Sequence, residues 1–269
     1  MTVIDNPKAI FVFERATGRR IGPLIPIKRS EYFCRLPRQD QRIWRYMEYW
    51  KFEKLVREKT LYFSRSDKLE DDMEGKYAEA NRNFTTNLWK KFCAAYSVRH
   101  DPRAQEQGAL SFRHAVFINC WHINKVESKE MWQTFGKTER SIVVTSTVRN
   151  LLKAIADKIE YAGKVNYAPQ EVPRPEWSHF APFFYKDTQF MKEKEFRLVA
   201  CKAEGEVTDF NRDIGRSFPI DPSEMIEMVK LHPDAPAAFK DEVKSLLATQ
   251  RLKLPVSKSS LSRVDNATP

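Results

Sequence analysis

Residues 43–66, IWRYMEYWKFEKLVREKTLYFSRS, decide the fold. IWRYM is apolar and aromatic and too short for a helix of its own, so it reads as a strand. YWKFEKLVREK carries apolar residues at helical spacing, and we place Trp50, Leu55 and Val56 on one face of an amphipathic helix. TLYFSRS, rich in threonine and aromatics, returns to strand. Strand, helix, strand, followed by further alternation, predicts an α+β fold: a single domain with a central mixed or split β-sheet flanked by helices.

Outward from this unit the punctuation is regular. SDKLEDDMEGKY, residues 66–77, is an acidic loop with Gly75 suited to a left-handed position. A helical stretch, NRNFTTNLWKKFCAAYSVR, and a polar loop, DPRAQEQG, lead to the buried-strand run AVFINCWH. SKEMWQTFG is a short helix stopped by Gly136, RSIVVTS is a strand, and VRNLLKAIADKIEYAG is an amphipathic helix with Gly163 as its C-cap. After the proline-rich QEVPRPEWSH, the segment HFAPFFYKDTQFMKEK is helical in part. In the strand EFRLVAC, Phe196 and Leu198 face one side and Glu195 and Arg197 the other. MIEMVKLHP is a strand, DAPAAFKDEVKSLLATQ a helix capped by Asp234, and LKLPVSKSSL trails into a polar tail. Upstream, AIFVFERATGRRIGPLIPI forms two short strands around ATGRR. The organisation is a basic N-terminal extension over 1–42, a main domain over 43–260 and a tail over 261–269.

The chain has 269 residues, of which 42% are hydrophobic, with 18 Phe, 9 Tyr and 6 Trp, enough for a sizeable core. Its four cysteines, Cys34, Cys93, Cys120 and Cys201, include no CxxC pair, which argues against a zinc knuckle or a disulfide framework. No run reaches the ~20 apolar residues of a membrane span, and the N-terminus lacks signal-peptide order, so a cytoplasmic address and no membrane partner are expected. The formal charge of +10 favours anionic partners, although most Lys and Arg sit beside acids as on ordinary solvated helix faces. GxxxxGK[ST] and GxGxxG are both absent, which disfavours nucleotide kinases and Rossmann oxidoreductases.

Four blocks, WRYM (44–47), LYFSRSDKLEDDMEG (61–75), CWHINKVESKEMWQTFG (120–136) and KEKEFRLV (192–199), resemble in order and spacing the domain-of-unknown-function 2971 family of bacteria. The resemblance spans about residues 43–260 and departs from the family at Glu70–Asp71–Asp72–Met73, where an Asn-Asp-Pro-like run is usual. It implies a fold and an uncharacterised activity. The strand–helix–strand opening with a later strand glutamate is also similar in outline to ADP-ribosyltransferases. That likeness implies a nucleotide-dependent effector or toxin in bacterial defence, acting on NAD as the dinucleotide, with nucleic acid or a protein as acceptor. Departure of nicotinamide leaves a cationic ribose, which a carboxylate in a water-poor cleft stabilises. Mapped by position, Glu195 is catalytic, Arg45 grips phosphate or ribose, and Ser64 or Tyr62 lines the nicotinamide pocket. Tyr46, Trp121, His122, Trp132 and Arg197 complete the binding set, with no metal expected.

Two alternatives stand beside this reading. One is a non-enzymatic nucleic-acid or protein binding module working through net positive charge and exposed aromatics. The other is a metal-dependent nuclease in which Asp71, Asp72 and Glu74 gather with His122 or Glu195. Each candidate also has a purely structural explanation: Arg45 pairing with the acidic loop, Glu195 in a cross-strand ion pair, and the tryptophans as core. Cys120 and His122, two apart on one strand, lie ~7 Å apart and are too distant for direct proton transfer.

Overall fold

The opening unit folds as read: β3 (Arg42–Glu48), α1 (Tyr49–Glu58) and β4 (Thr60–Arg65). Within α1 the buried residues are Phe52, Leu55 and Val56, whereas Trp50 is 57% exposed. Trp50 and Val56 are six residues apart, well over one and a half turns, which puts them on different faces.

The protein is described by a computed structural model covering residues 33–81, 86–87, 90–91, 94, 112–174, 178, 180–201 and 214–261, with the backbone of 11–13 and 20–23. DPRAQEQG, most of the helical stretch before it and the tail 262–269 lie outside the described residues. Near the N-terminus, β1 (Phe11–Phe13) and β2 (Arg20–Pro23) pair antiparallel.

Further along come β5 (Val116–Ile123), α2 (Lys129–Phe135), β6 (Ser141–Thr147), α3 (Val148–Ile155), β7 (Tyr161–Lys164), β8 (Asn166–Tyr167) and β9 (Tyr185–Lys186). The remainder is β10 (Glu195–Cys201), β11 (Gly215–Pro219), α4 (Pro222–Met225), β12 (Met228–Leu231), α5 (Ala237–Thr249) and β13 (Val256–Lys258). Nine of these strands form one sheet in the order β11-β4-β5-β3-β6-β12-β13, with β10 and then β7 joined to β5. The β12–β13 pairing is parallel and its other pairings antiparallel, so the α+β expectation with a central mixed sheet holds.

The sheet is also split. β10 pairs with β5 along its whole length from Glu195↔His122 to Cys201↔Val116, so β3 and β4 must share the other edge of β5. β3 touches it at Ile43↔Ile123 and Trp44↔His122, and β4 at Ser64↔Ile118 and Arg65↔Phe117. Between these contacts the two strands diverge, leaving a fork over Asn119, Cys120 and Trp121.

Register assigns the faces. Ile43, Met47, Leu61, Phe63, Phe117, Trp121, Phe196 and Leu198 point to one side and pack against α1, α3 and α5 in the main core; we call this the helical face. On the opposite, loop face, Ile118 and Val199 pack against Phe33, Cys34, Phe183 and Phe184, while Trp44 and Tyr46 pack against Met131 and Trp132 of α2.

Three local expectations change. The helix after β6 ends at Ile155 and a short 3-10 turn, so Gly163 lies inside β7; a Cβ there would stand 2.5 Å from the Cys34 Sγ, and close packing rather than capping explains the glycine. Pro236, not Asp234, precedes α5, its fixed φ suiting a helix start. LKLPVSKSSL contributes β13, because Val256–Lys258 finds the free edge of β12.

Gly75 takes φ +70°, and a Cβ on it would sit 2.2 Å from the Phe183 ring. We therefore expect Gly75→Ala to cost about 2 kcal/mol or more, from left-handed strain plus displacement of a core ring. Urea unfolding should show a lowered midpoint with an unchanged slope. A loss below about 0.5 kcal/mol would mean that the ring gives way freely.

Candidate functional site

At the start of β10, on the loop face, Glu195 opens a buried network of charged side chains. Glu74 and Arg197 are each 1% exposed, and Glu195 and Lys186 are buried with them. The acidic loop delivers Glu74 through a tight turn: Asp71 accepts the Met73 amide at 2.9 Å on its carboxylate, and the Glu74 amide at 3.0 Å on its carbonyl. Left-handed Gly75 then lets the chain reverse, leaving Glu74 pointing inward.

Arg197 spends all five of its N–H donors here. Nε donates to Glu195 at 2.6 Å, Nη1 to Glu74 at 2.5 Å and to the Phe183 carbonyl at 2.6 Å, and Nη2 to Glu74 at 2.8 Å and Glu195 at 3.2 Å. Lys186 bridges Glu195 at 2.9 Å and Glu193 at 2.5 Å. The Glu195 amide donates to the Tyr167 hydroxyl at 2.8 Å.

Three carboxylates against two cations leave this network one negative charge in excess, and the carboxyls divide the burden unequally. Burial works to raise Glu195, but Arg197 and Lys186 outweigh it and hold that carboxyl well below its usual range. Burial and the adjacent Glu195 push Glu193 up to about 7. The pair thus holds one proton near neutrality, on Glu193.

Beside it stands His122, directly opposite Glu195 in register. Its Nδ1 lies 2.6 Å from the Glu193 carbonyl, which fixes the proton on Nδ1 and leaves Nε2 a bare acceptor. Nε2 is buried without a hydrogen-bond partner. Burial lowers the imidazole's proton affinity, so the ring is neutral at pH 7. Tyr46 meets His122 edge-on at 6.3 Å and Trp132 edge-on at 5.0 Å, and its hydroxyl accepts the Ser128 amide at 2.9 Å. Trp132 Nε1 is bonded to Glu127 at 3.3 Å. Lys192 and Lys194 flank Glu193 and are exposed, and Lys194 acts electrostatically on His122.

The constellation of Arg45, Ser64 and Glu195 does not assemble. Trp44, not Arg45, aligns with His122 and Glu195, and the one-residue offset sends Arg45 through to the helical face. Trp121 goes with it and is buried in the main core, so neither lines a pocket with Glu195. Ser64 does share the loop face, but it pairs with Ile118, four residues from His122 and a strand further out, roughly 16 Å from Glu195. Tyr62 lies on the part of β4 that has diverged from β5, where it pairs with Ser217 of β11, and its hydroxyl donates to the Ile214 carbonyl at 3.2 Å. Arg197, with every donor spent, has none left for a ligand phosphate.

The expected binding set is therefore reduced to Glu195, His122, Tyr46 and Trp132 on one face. The acidic triad of the nuclease alternative is dispersed: Asp71 braces its turn, Asp72 is exposed, and Glu74 meets Glu195 across a guanidinium. Among the described residues no group of three His, Cys, Asp or Glu is arranged to hold a metal ion. Burial also pushes the Cys120 thiol well above its usual range, which keeps it protonated. Sequence reasoning missed Lys186, Glu193 and Tyr167. The alternation Glu193-x-Glu195-x-Arg197 in KEKEFR was the available signal for Glu193, whereas nothing local marked Lys186.

No family model and no curated protein matches the chain. Among solved structures it is similar to Thermus sp. 2.9 DarT in complex with NAD+, at 11% identity over 87% of this chain and 100% of that one, with a TM-score of 0.36. The same protein with carba-NAD+ aligns at 11% identity, 86% and 100% coverage and 0.38, and with ADP-ribosylated ssDNA at 10%, 87% and 100%, and 0.38. At these scores no residue role passes from that protein to this chain. No described helix is long and apolar enough to cross a membrane.

Proposed function

We propose that the chain is a ribosyl-transferring enzyme of the ADP-ribosyltransferase type, with a nicotinamide dinucleotide as donor and Glu195 as its catalytic carboxylate. The observation that carries this is the Glu193–Glu195 pair, two touching carboxyls driven apart in acidity, one anionic and one holding its proton to about 7. The buried floor suits a ribose: the Glu195 carboxylate and the orphaned His122 Nε2 both accept hydrogen bonds from hydroxyls. Lys192 and Lys194 at the rim suit phosphates.

A bound dinucleotide would supply a ribosyl carbon that gains positive charge as nicotinamide departs. Glu195 stays ionised at neutral pH in a water-poor setting, where its charge counts most against a developing cation. Glu193, titrating near pH 7, exchanges a proton with the acceptor. Arg197 and Lys186 orient both carboxyls. Two blocks of the 2971-family resemblance, LYFSRSDKLEDDMEG through Glu74 and KEKEFRLV through Glu195 and Arg197, meet in this network, and membership of that family is part of the proposal. The net charge of +10 favours an anionic acceptor.

The test is nicotinamide release from the dinucleotide by wild type, Glu195→Gln and Glu193→Gln, with thermal unfolding confirming that each is folded. Wild type should release nicotinamide, and a folded Glu195→Gln should be slower by about two orders of magnitude or more. A folded wild type that is inert, yet retains nucleic acid in a salt-sensitive way, would overturn this in favour of the binding module.

A further inference from the structure

At the fork the backbone leaves groups to be satisfied. β3 pairs with β5 only through Trp44 and β4 only from Ser64 onward, so Arg45–Glu48 and Thr60–Phe63 face each other across a gap. The freed Tyr62 carbonyl accepts the Asn119 amide at 2.8 Å, and Asn119 in turn accepts the Trp121 indole N–H at 2.7 Å. The Arg45 guanidinium reaches into the same gap on the helical face. Its Nη2 makes one long bond of 3.4 Å to the already occupied Tyr62 carbonyl, and its carbon stands 6.0 Å from the Trp121 ring. Nη1 is shut off from solvent with no hydrogen-bond partner.

The charge is what sets Arg45 apart. Arg65 of β4 and Arg197 of β10, both buried, each face a carboxylate, Asp67 at 2.5 Å and Glu74 at 2.5 Å. Arg45 forms no ion pair among the described residues. Arg45 as a whole is half-buried, but its Nη1 is held from water with neither an acceptor nor a counter-charge, a cost that an anion seated there would offset. Burial also lowers its pKa to about 10, which leaves it charged at neutral pH.

We infer that Arg45 marks a second binding site, across the sheet from the Glu195 network, for an oxyanion of the phosphate or carboxylate type. The planar guanidinium presents paired N–H groups that fit two oxygens of such a ligand. The hydrogen-bonded Asn119–Trp121 pair lies against it, and the diverging edges of β3 and β4 flank it.

The test is thermal unfolding of the full chain at fixed ionic strength in chloride, inorganic phosphate or acetate, for wild type, Arg45→Met and Glu195→Gln. A saturable rise in Tm is expected with phosphate or acetate, roughly 5 °C at about 100 times the dissociation constant. The more effective anion identifies the class. Glu195→Gln should keep the rise and Arg45→Met should lose it, so this site stands or falls independently of nicotinamide release. If Arg45→Met does not fold, saturable tryptophan quenching of wild type by the same anion, weakened at least tenfold in Arg45→Lys, gives the same answer. No saturable response in wild type to either anion, or an equal rise in Arg45→Met, overturns the inference.

Discussion

Arg197→Met is expected to lower the unfolding free energy by about 3–5 kcal/mol, a loss of roughly 10 °C in Tm. The substitution keeps much of the side-chain volume, so the cost is electrostatic rather than a cavity. Glu74 would lose both of its bonds to Arg197, Glu195 two of its donors, and the Phe183 carbonyl its bond at 2.6 Å. Lys186 alone would face three carboxyls. Glu74→Gln removes one charge and keeps the shape, so it should cost less, and the Glu74→Gln, Arg197→Met double variant should cost less than the sum of the two. Urea unfolding with a constant slope measures all three. A cost for Arg197→Met under about 1 kcal/mol would show that the network does not hold the loop of Glu74 against β10.

Between about pH 4.3 and 7 the protein should become less stable as pH rises, by up to about 7 kcal/mol in total. Glu193 and Glu160 are both pushed up to about 7, each chiefly by burial; Glu160 accepts the Cys201 amide at 2.5 Å. In this window the unfolded chain has released both protons while the folded chain still holds them. Raising the pH therefore favours unfolding at about 1.4 kcal/mol per unit per group, and the penalty is complete above about 7. Glu195 works in the opposite sense and in another range. Held well below the usual carboxylate values, it contributes stability that is present above them and lost only as pH falls through its folded pKa. Urea unfolding at pH 5, 6, 7 and 8 checks this, with Glu160→Gln and Glu193→Gln each expected to flatten part of the slope. A level profile in wild type would contradict the two raised carboxyls.

Much of the architecture was legible because short-range rules govern it. The period-2 pattern of EFRLVAC placed Glu195 and Arg197 opposite Phe196 and Leu198, and that is how β10 sits. What escaped was long-range register. Nothing in IWRYM says whether Trp44 or Arg45 aligns with His122, yet that single residue separates two faces of the sheet. Glu74 looked like part of a solvated acidic loop because the residue that buries it, Arg197, lies 123 positions away. Gly163 resembled a helix stop because the Cys34 sulfur that crowds it comes from the far side of the chain.

The interleaved strand order has a consequence for biosynthesis. β4 waits for β11, some 150 residues downstream, and the sheet's last strand, β13, is followed within a residue by Ser259, whose hydroxyl reaches the Glu127 carboxylate at 2.5 Å. The β4 edge cannot close until Pro219, nor the β12 edge until Lys258, has left the ribosome. Maturation of the domain is thus slow and late, and nascent intermediates expose unpaired strands that call for chaperone protection.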